Sequence, residues 1–258
     1  MTAGPGLALR LAAGVSASRR LARRAASPLL DVVYPRVCTV CGAPPDAGGH
    51  LCWDCRADLP VIQPPFCSVC GDPVEGRIDH DYVCSWCCSE RPAYAMARSA
   101  LRYRGPVREL LQALKYRGAS HLRADLAGYL VACVSAQFPR EVFDAVTGVP
   151  LHARRERERT YNQSILLARE LATRLGAPLE GRCLRRDAAT PTQTHLTAAQ
   201  RRENVRGAFS APDPEWVHGR RLLLVDDVMT TGATVGECAR VLCRAGAASV
   251  HVVTVARG

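Results

Sequence analysis

From residue 96 onward, apolar positions recur at helical and strand spacings in turn, which predicts alternating helices and strands. Over 106–116, Leu110, Leu111 and Leu114 share one helical face behind Pro106, a residue tolerated in a first turn. A second helix is expected over 122–136, then a short apolar strand over 145–149 that ends at Pro150. The segment 151–159 breaks the pattern with four arginines and a histidine and reads as a charged loop. Beyond it, 161–164 open a helix running to about 175, with Ile165, Leu166, Ala168, Leu171, Ala172 and Leu175 on its apolar side and Gly176 as its stop. The run 222–225 is wholly apolar, as suits a central parallel strand, and a further helix is expected over about 235–245.

Residues 1–95 lack that alternation. Arg10, Arg19, Arg20, Arg23 and Arg24 sit among alanine and leucine with no acid before Asp31, so 1–30 reads as a basic, poorly ordered extension. The apolar run broken by Arg10 is too short for a secretory signal. The block that follows, 31–95, is organised by cysteine. Cys38 and Cys41 are followed by Cys52 and Cys55, and Cys67 and Cys70 by Cys84 and Cys87, all in Cys-x-x-Cys pairs. Each pair offers two sulfurs along one tetrahedral edge, and zinc favours such a thiolate set because its filled shell imposes no other geometry. Gly42 and Gly71 each follow a pair, where a metal knuckle needs positive φ. The pairs close either sequentially or interleaved, with Cys88 read as a spare thiol. A closed four-sulfur shell leaves no position for water, so the Zn²⁺ is structural.

Charge changes the picture further. The 258 residues carry a net +10, with 34 basic groups of which only Lys115 is lysine. Segment 38–97 holds three arginines against eight acids, whereas 98–160 holds twelve basic groups against six. A positive surface outside the cysteine block suggests phosphate-bearing partners. Cys-x-x-Cys pairs of this kind belong to a reducing compartment, so a cytoplasmic location is expected. No apolar run approaches the ~18 residues that cross a bilayer, which argues against an integral membrane span.

Candidate chemistry lies after 222–225, where Asp226 and Asp227 precede a turn made of Thr230, Thr231, Gly232, Ala233 and Thr234 and then a helix. Two adjacent carboxylates at the end of a buried strand need a reason to stay ionised, which ribose hydroxyls or a divalent cation would supply. A glycine-containing turn at a helix N-terminus presents backbone N–H groups and a positive dipole end, which suit a phosphate dianion. Together they describe a ribose with a 5′-phosphate.

Residues 222–234 resemble the phosphoribosyl-pyrophosphate signature of type I phosphoribosyltransferases, and the chain as a whole resembles the ComF family. The wider likeness rests on the cysteine pairs, the phrases Leu101-Arg-Tyr-Arg-Gly105 and Leu114-Lys-Tyr-Arg-Gly118, Pro150-Leu-His with Asn162-Gln163, and Gln193-x-x-Leu196 with Arg201-x-x-Asn204-Val205. The resemblance implies an α/β fold: a type I phosphoribosyltransferase-like parallel sheet with helices on both faces over 96–258, preceded by a small zinc module. It implies that Asp226 and Asp227 bind ribose hydroxyls, directly or through Mg²⁺, while 230–234 hold the 5′-phosphate. Leu151, His152, Arg154 and Arg155 would form the pyrophosphate loop, and Gln193, Arg201 and Asn204 would lie on a mobile loop over 187–206. The implied ligand is phosphoribosyl pyrophosphate with Mg²⁺, and the implied activity is phosphoribosyl transfer to an unidentified acceptor. The alternative is a non-catalytic or switch-like handling of single-stranded DNA in natural transformation, beside a helicase-type partner of the competence machinery. Two departures matter. The family usually has glycine where Thr160 stands, and Thr230 occupies the position where some 6-oxopurine transferases carry an acid facing the base.

Overall fold

The computed structural model describes residues 36–46, 48–188 and 197–258. The expectations for 1–30 and for Gln193 fall outside them. The chain divides into two units, one ending at Trp53 and one running from Asp54 to Gly258. In the first, the Cys38 N–H donates to Ala43 O and the Gly42 N–H to Cys38 O, a tight knuckle closed by Gly42 at φ +78°.

The second unit is built on four parallel strands in the order β1–β6–β5–β2. These are β1 (Met96–Arg102), β2 (Ala145–Gly148), β5 (Arg221–Met229) and β6 (Ser249–Arg257), while β3 (Arg185–Arg186) and β4 (Phe209–Ser210) form a small antiparallel pair. The helices that frame the sheet are α1 (Pro106–Tyr116), α2 (Arg123–Gln137), α3 (Ala153–Arg159), α4 (Gln163–Leu175), α5 (Ala198–Val205) and α6 (Ala233–Arg244). Helix α2 packs on β1 and β6, and α4 lies beside it on β2 and β5. Leu222, Leu224, Val250 and Val252 share a core cluster with Val235, Cys238, Ala239 and Leu242 of α6. Strand side chains alternate between faces, so α6 covers the face opposite α2 and α4.

Helix α1 occupies the span its periodicity predicts, with Val107, Leu110, Leu111 and Leu114 fully buried. Truncating one of those leucines to alanine removes transfer energy and leaves a cavity, costing about 2–5 kcal/mol. Helix α4 also forms, but its buried stripe is Leu167, Ala168, Leu171 and Ala172, while Ile165 and Leu166 are only half-buried. Its start is fixed by Asn162, whose Oδ1 accepts from the Ser164 and Ile165 N–H groups while its Nδ2 donates to Val149 O at the end of β2. That tether sets the helix rotation.

Three expectations need correction. Residues 153–159 are helix α3 rather than a loop, with His152 Nδ1 accepting from the Arg154 N–H at 3.3 Å. Arg157 and Arg159 in its last turn and Glu156 in its first complement the helix dipole. The segment expected as a mobile loop contains α5, which starts with a reciprocal cap: Thr197 Oγ1 accepts from the Gln200 N–H and Gln200 Oε1 from the Thr197 N–H. Strand β5 does not end at the two aspartates but runs on to Met229, paired with β6.

The outer edge of β1 is covered by residues 60–62: the Ile62 N–H donates to Ala100 O, the Arg102 N–H donates to Pro60 O, and Val61 bridges Leu101 antiparallel. Thr160 has φ +66°, the only non-glycine in the left-handed region among the described residues. A β-branched side chain there is strained, which accounts physically for glycine at this position in the family. Thr160→Gly is therefore expected to raise stability by about 1 kcal/mol, seen as a higher denaturant midpoint at unchanged slope. A lower midpoint would contradict the strain.

Candidate functional site

The two aspartates of β5 are both buried. Asp226 Oδ1 accepts from Ser164 Oγ at 2.7 Å and from the Asp227 N–H at 2.9 Å. Asp227 Oδ2 lies 2.5 Å from Lys115 Nζ, the chain's single lysine, in the last turn of α1. Burial and then the charge of Asp227 push the Asp226 carboxyl above the usual carboxylate range. Burial pushes Asp227 the same way, but Lys115 outweighs it and holds Asp227 below its ordinary value. Lys115 is in turn kept above its ordinary range, because the two acids more than offset its own desolvation. For Asp227, the ionisation that sequence reasoning assigned to a ligand is thus sustained first by a protein ammonium.

Beyond Met229 the chain turns into α6 through Gly232, at φ +74°, a left-handed conformation that L side chains rarely adopt. The Ala233 N–H reaches Thr231 Oγ1 at 3.4 Å, and Gly236 N–H to Gly232 O closes the first helical bond. The cup 230–234 follows the acid pair after Val228 and Met229. Arg201 on α5 donates from Nη1 to Thr230 Oγ1 at 3.1 Å, which lays α5 against the cup. Asn204 stands on the same helix.

The expected pyrophosphate residues Leu151 and His152 follow β2 after Val149 and Pro150 and are half-buried. Of the two arginines chosen, Arg154 is exposed and paired with Glu158 at 3.0 Å, one turn along α3. Arg155 is close enough to Arg186 to help lower the guanidinium pKa of Arg186, after burial as the main cause. Arg186, buried over the Phe209 ring and within the field of Asp226, was missed from sequence. Lys115 was missed likewise: it sits 112 positions from Asp227, and only its being the lone lysine set it apart. Tyr116, noted beside its arginines, is exposed and carries the Arg159 guanidinium over its ring at 4.9 Å.

Cys67, Cys70, Cys84 and Cys87 bring four sulfurs within 4.8 Å of one another, so the pairs close sequentially. Cys70 Sγ and Cys84 Sγ are 3.7 Å apart, close to the edge of about 3.8 Å for a tetrahedron of zinc–sulfur bonds. The Cys84 N–H donates to Cys67 Sγ at 3.3 Å, the backbone support typical of a thiolate ligand. In the first unit Cys41 Sγ and Cys52 Sγ approach to 3.5 Å, beside Cys38. Cys88 is exposed, with its thiol on Val83 O. The second knuckle is tied to the sheet: the Ala97 N–H donates to Val69 O, Arg98 Nη2 to Ser68 O, and Arg257 Nε to Asp72 Oδ1. Gly71 lies so close to β1 that a Cβ would meet Ala97 O at 2.6 Å.

Comparison with known proteins agrees with both parts. A double zinc ribbon domain matches residues 29–88, a span that includes all eight paired cysteines with Cys55 among them, and a phosphoribosyl transferase domain matches residues 162–258. The DNA utilization protein YhgH of Salmonella typhimurium is 35% identical over 216 residues, 78% of this chain and 94% of that protein. Competence protein F of Haemophilus influenzae is 32% identical, over 67% of this chain and 78% of its own. A glutamine phosphoribosylpyrophosphate amidotransferase from B. subtilis, solved with ADP and GMP, aligns over 56% of this chain and 30% of its own at 25% identity, with a TM-score of 0.38. Among the described residues, no helix is long and apolar enough to cross a membrane.

Proposed function

The chain belongs to the family of the DNA utilization protein YhgH and competence protein F, and from that premise we propose that it binds phosphoribosyl pyrophosphate with Mg²⁺ and transfers the phosphoribosyl group to a nucleophilic acceptor. The observation that carries this reading is the buried Asp226–Asp227 pair, one carboxylate held by Lys115, running directly into the left-handed Gly232 and the N-terminus of α6. Function divides near residue 95, with structural Zn²⁺ before it and the donor site after it.

Asp226 and Asp227 accept hydrogen bonds from the ribose hydroxyls, directly or through Mg²⁺, and Lys115 keeps Asp227 ionised for that task. Thr230, Thr231, Gly232, Ala233 and Thr234 take the 5′-phosphate, aided by the dipole of a twelve-residue helix. Leu151, His152, Arg154 and Arg155 face the pyrophosphate from the end of β2, with Arg155 the better placed of the two arginines. Arg201 and Asn204 on α5 close over the donor. The carboxylate oxygens of Asp226 and Asp227 would suit a hard cation such as Mg²⁺, with Lys115 already offsetting one of their charges. When bound with the donor, Mg²⁺ neutralises the leaving pyrophosphate. The chain's own part is positioning and charge placement around the transferred sugar.

A second reading, handling of single-stranded DNA beside the competence machinery with the donor as a switch, is favoured by the relatives' names and by Thr230, which offers no carboxylate to a base. Pyrophosphate release from the donor, with and without bases and oligonucleotides, separates the two. Stimulation by a base supports transfer, and binding without release supports the switch. Asp226→Asn combined with Asp227→Asn should weaken calorimetric donor binding about 100-fold, since two charge-assisted hydrogen bonds are lost. Retained affinity would remove the site assignment.

A further inference from the structure

Under residues 61–66, against the edge strand β1 and helix α2, lies a slot of about 400 Å³. Its size falls within the roughly 300–1,000 Å³ of small-ligand sites. Its walls include the Phe66 and Tyr129 rings, the amides of Gln63 and Gln137, and Ala132, with Arg98 at its floor. Arg98 is only 7% exposed, and no carboxylate pairs with it among the described residues. Three of its N–H groups are engaged, by Ala97 O, Ser68 O and Gln137 Oε1, and its guanidinium lies 4.8 Å from the Phe66 ring centroid. A guanidinium has five N–H donors, so two remain on a cation already desolvated by the fold. The Ser68 contact aims part of that charge at the second cysteine quartet, and the rest lines the slot. A second hollow shares Pro64, Phe66 and Arg98 with the first and opens past Arg77 and His80.

We propose that this slot binds a nucleobase, guanine preferred. A flat ring inserts beside Phe66 and Tyr129, acceptor atoms on its edge meet the spare donors of Arg98, and the glutamine amides satisfy the remaining edge groups. Arginine pairs two donors with the O6 and N7 acceptors that guanine presents side by side on its major-groove edge, an adjacent pair that adenine and thymine lack. A sugar-phosphate extending from the base leaves through the second hollow, past Arg77 and His80. The local acidity of segment 38–97 is consistent with this, because stacking and edge contacts need no phosphate cluster.

The test uses the full chain and fluorescein-labelled 12-mers followed by anisotropy. A thymidine strand with two central guanines should bind about tenfold tighter than an abasic strand of equal length. Ala132→Trp places an indole in the slot from an exposed helix position, and should bring the two strands within about twofold while leaving the salt slope unchanged. Gln63→Trp, also at an exposed position, does the same from the opposite wall, with circular dichroism checking that each variant is folded. Displacement of the guanine strand by guanosine extends the site to free nucleosides, and no displacement restricts it to bases in a strand. Equal affinity for guanine and abasic strands in the unaltered protein overturns the proposal, as does an undiminished guanine preference in the folded tryptophan variants. Neither result bears on donor binding.

Discussion

Stripping zinc with a high-affinity chelator is expected to unfold far more than the cysteine block. Structural sites of this kind supply on the order of 10–16 kcal/mol of apparent binding energy, more than most domains hold in total stability. The quartet Cys67, Cys70, Cys84 and Cys87 belongs to the same unit as the sheet, and its knuckle is bonded to Ala97, Arg98 and Arg257 at the β1 and β6 strands. Losing the metal leaves mutually repelling or protonated sulfurs where those bonds are anchored. The melting transition should therefore fall for the whole of 54–258, with loss of ellipticity from its helices. An unchanged melting curve after confirmed metal removal would refute the structural role.

Lys115→Met should cost about 3–5 kcal/mol near neutral pH, because it strands a buried carboxylate that was paired at 2.5 Å. The deficit should depend on pH, and its sign follows from the direction of each shift. In the unaltered protein Asp227 is held low, so its contribution is present above the ordinary carboxylate range and lost as pH falls through its depressed value. Without Lys115, burial raises it, and a raised carboxyl favours the fold only in acid, losing that contribution as pH rises through its new value. The gap between variant and parent should widen from about pH 5 to about pH 8 in denaturant midpoints. A gap that is constant across that range would mean that Lys115 acts through packing alone. Lys115→Arg, which keeps a cation, should recover part of the loss.

Elements stabilised by a local repeat were legible in the sequence, and those stabilised by distant partners were not. Helix α1 carries three leucines at helical spacing and was placed to the residue. The cysteine pairs announced their chemistry through spacing alone. By contrast α5 has hardly any apolar stripe and depends on the Thr197–Gln200 cap, a pattern hidden within a polar segment. Strands β1 and β6 have no counterpart among the sequence expectations, although β6 is an unbroken buried run from Val250 to Ala256. The site's acids and cup stood next to each other in sequence and could be read together. Lys115, Ser164 and Arg186 converge on them only once the sheet is assembled, and no periodicity points to such a meeting.

The strip 60–62 laid along β1 has a further consequence. Parallel sheets expose unpaired N–H and C=O groups at their margins, and such margins recruit other chains into extended aggregates. Here the connector between the two cysteine quartets blunts that margin, with Pro60 withholding a donor and Ile62 spending one on Ala100 O. The metal-binding region thereby doubles as a guard for the colloidal solubility of the sheet, and the two halves of the sequence are not interchangeable parts to be separated at residue 96.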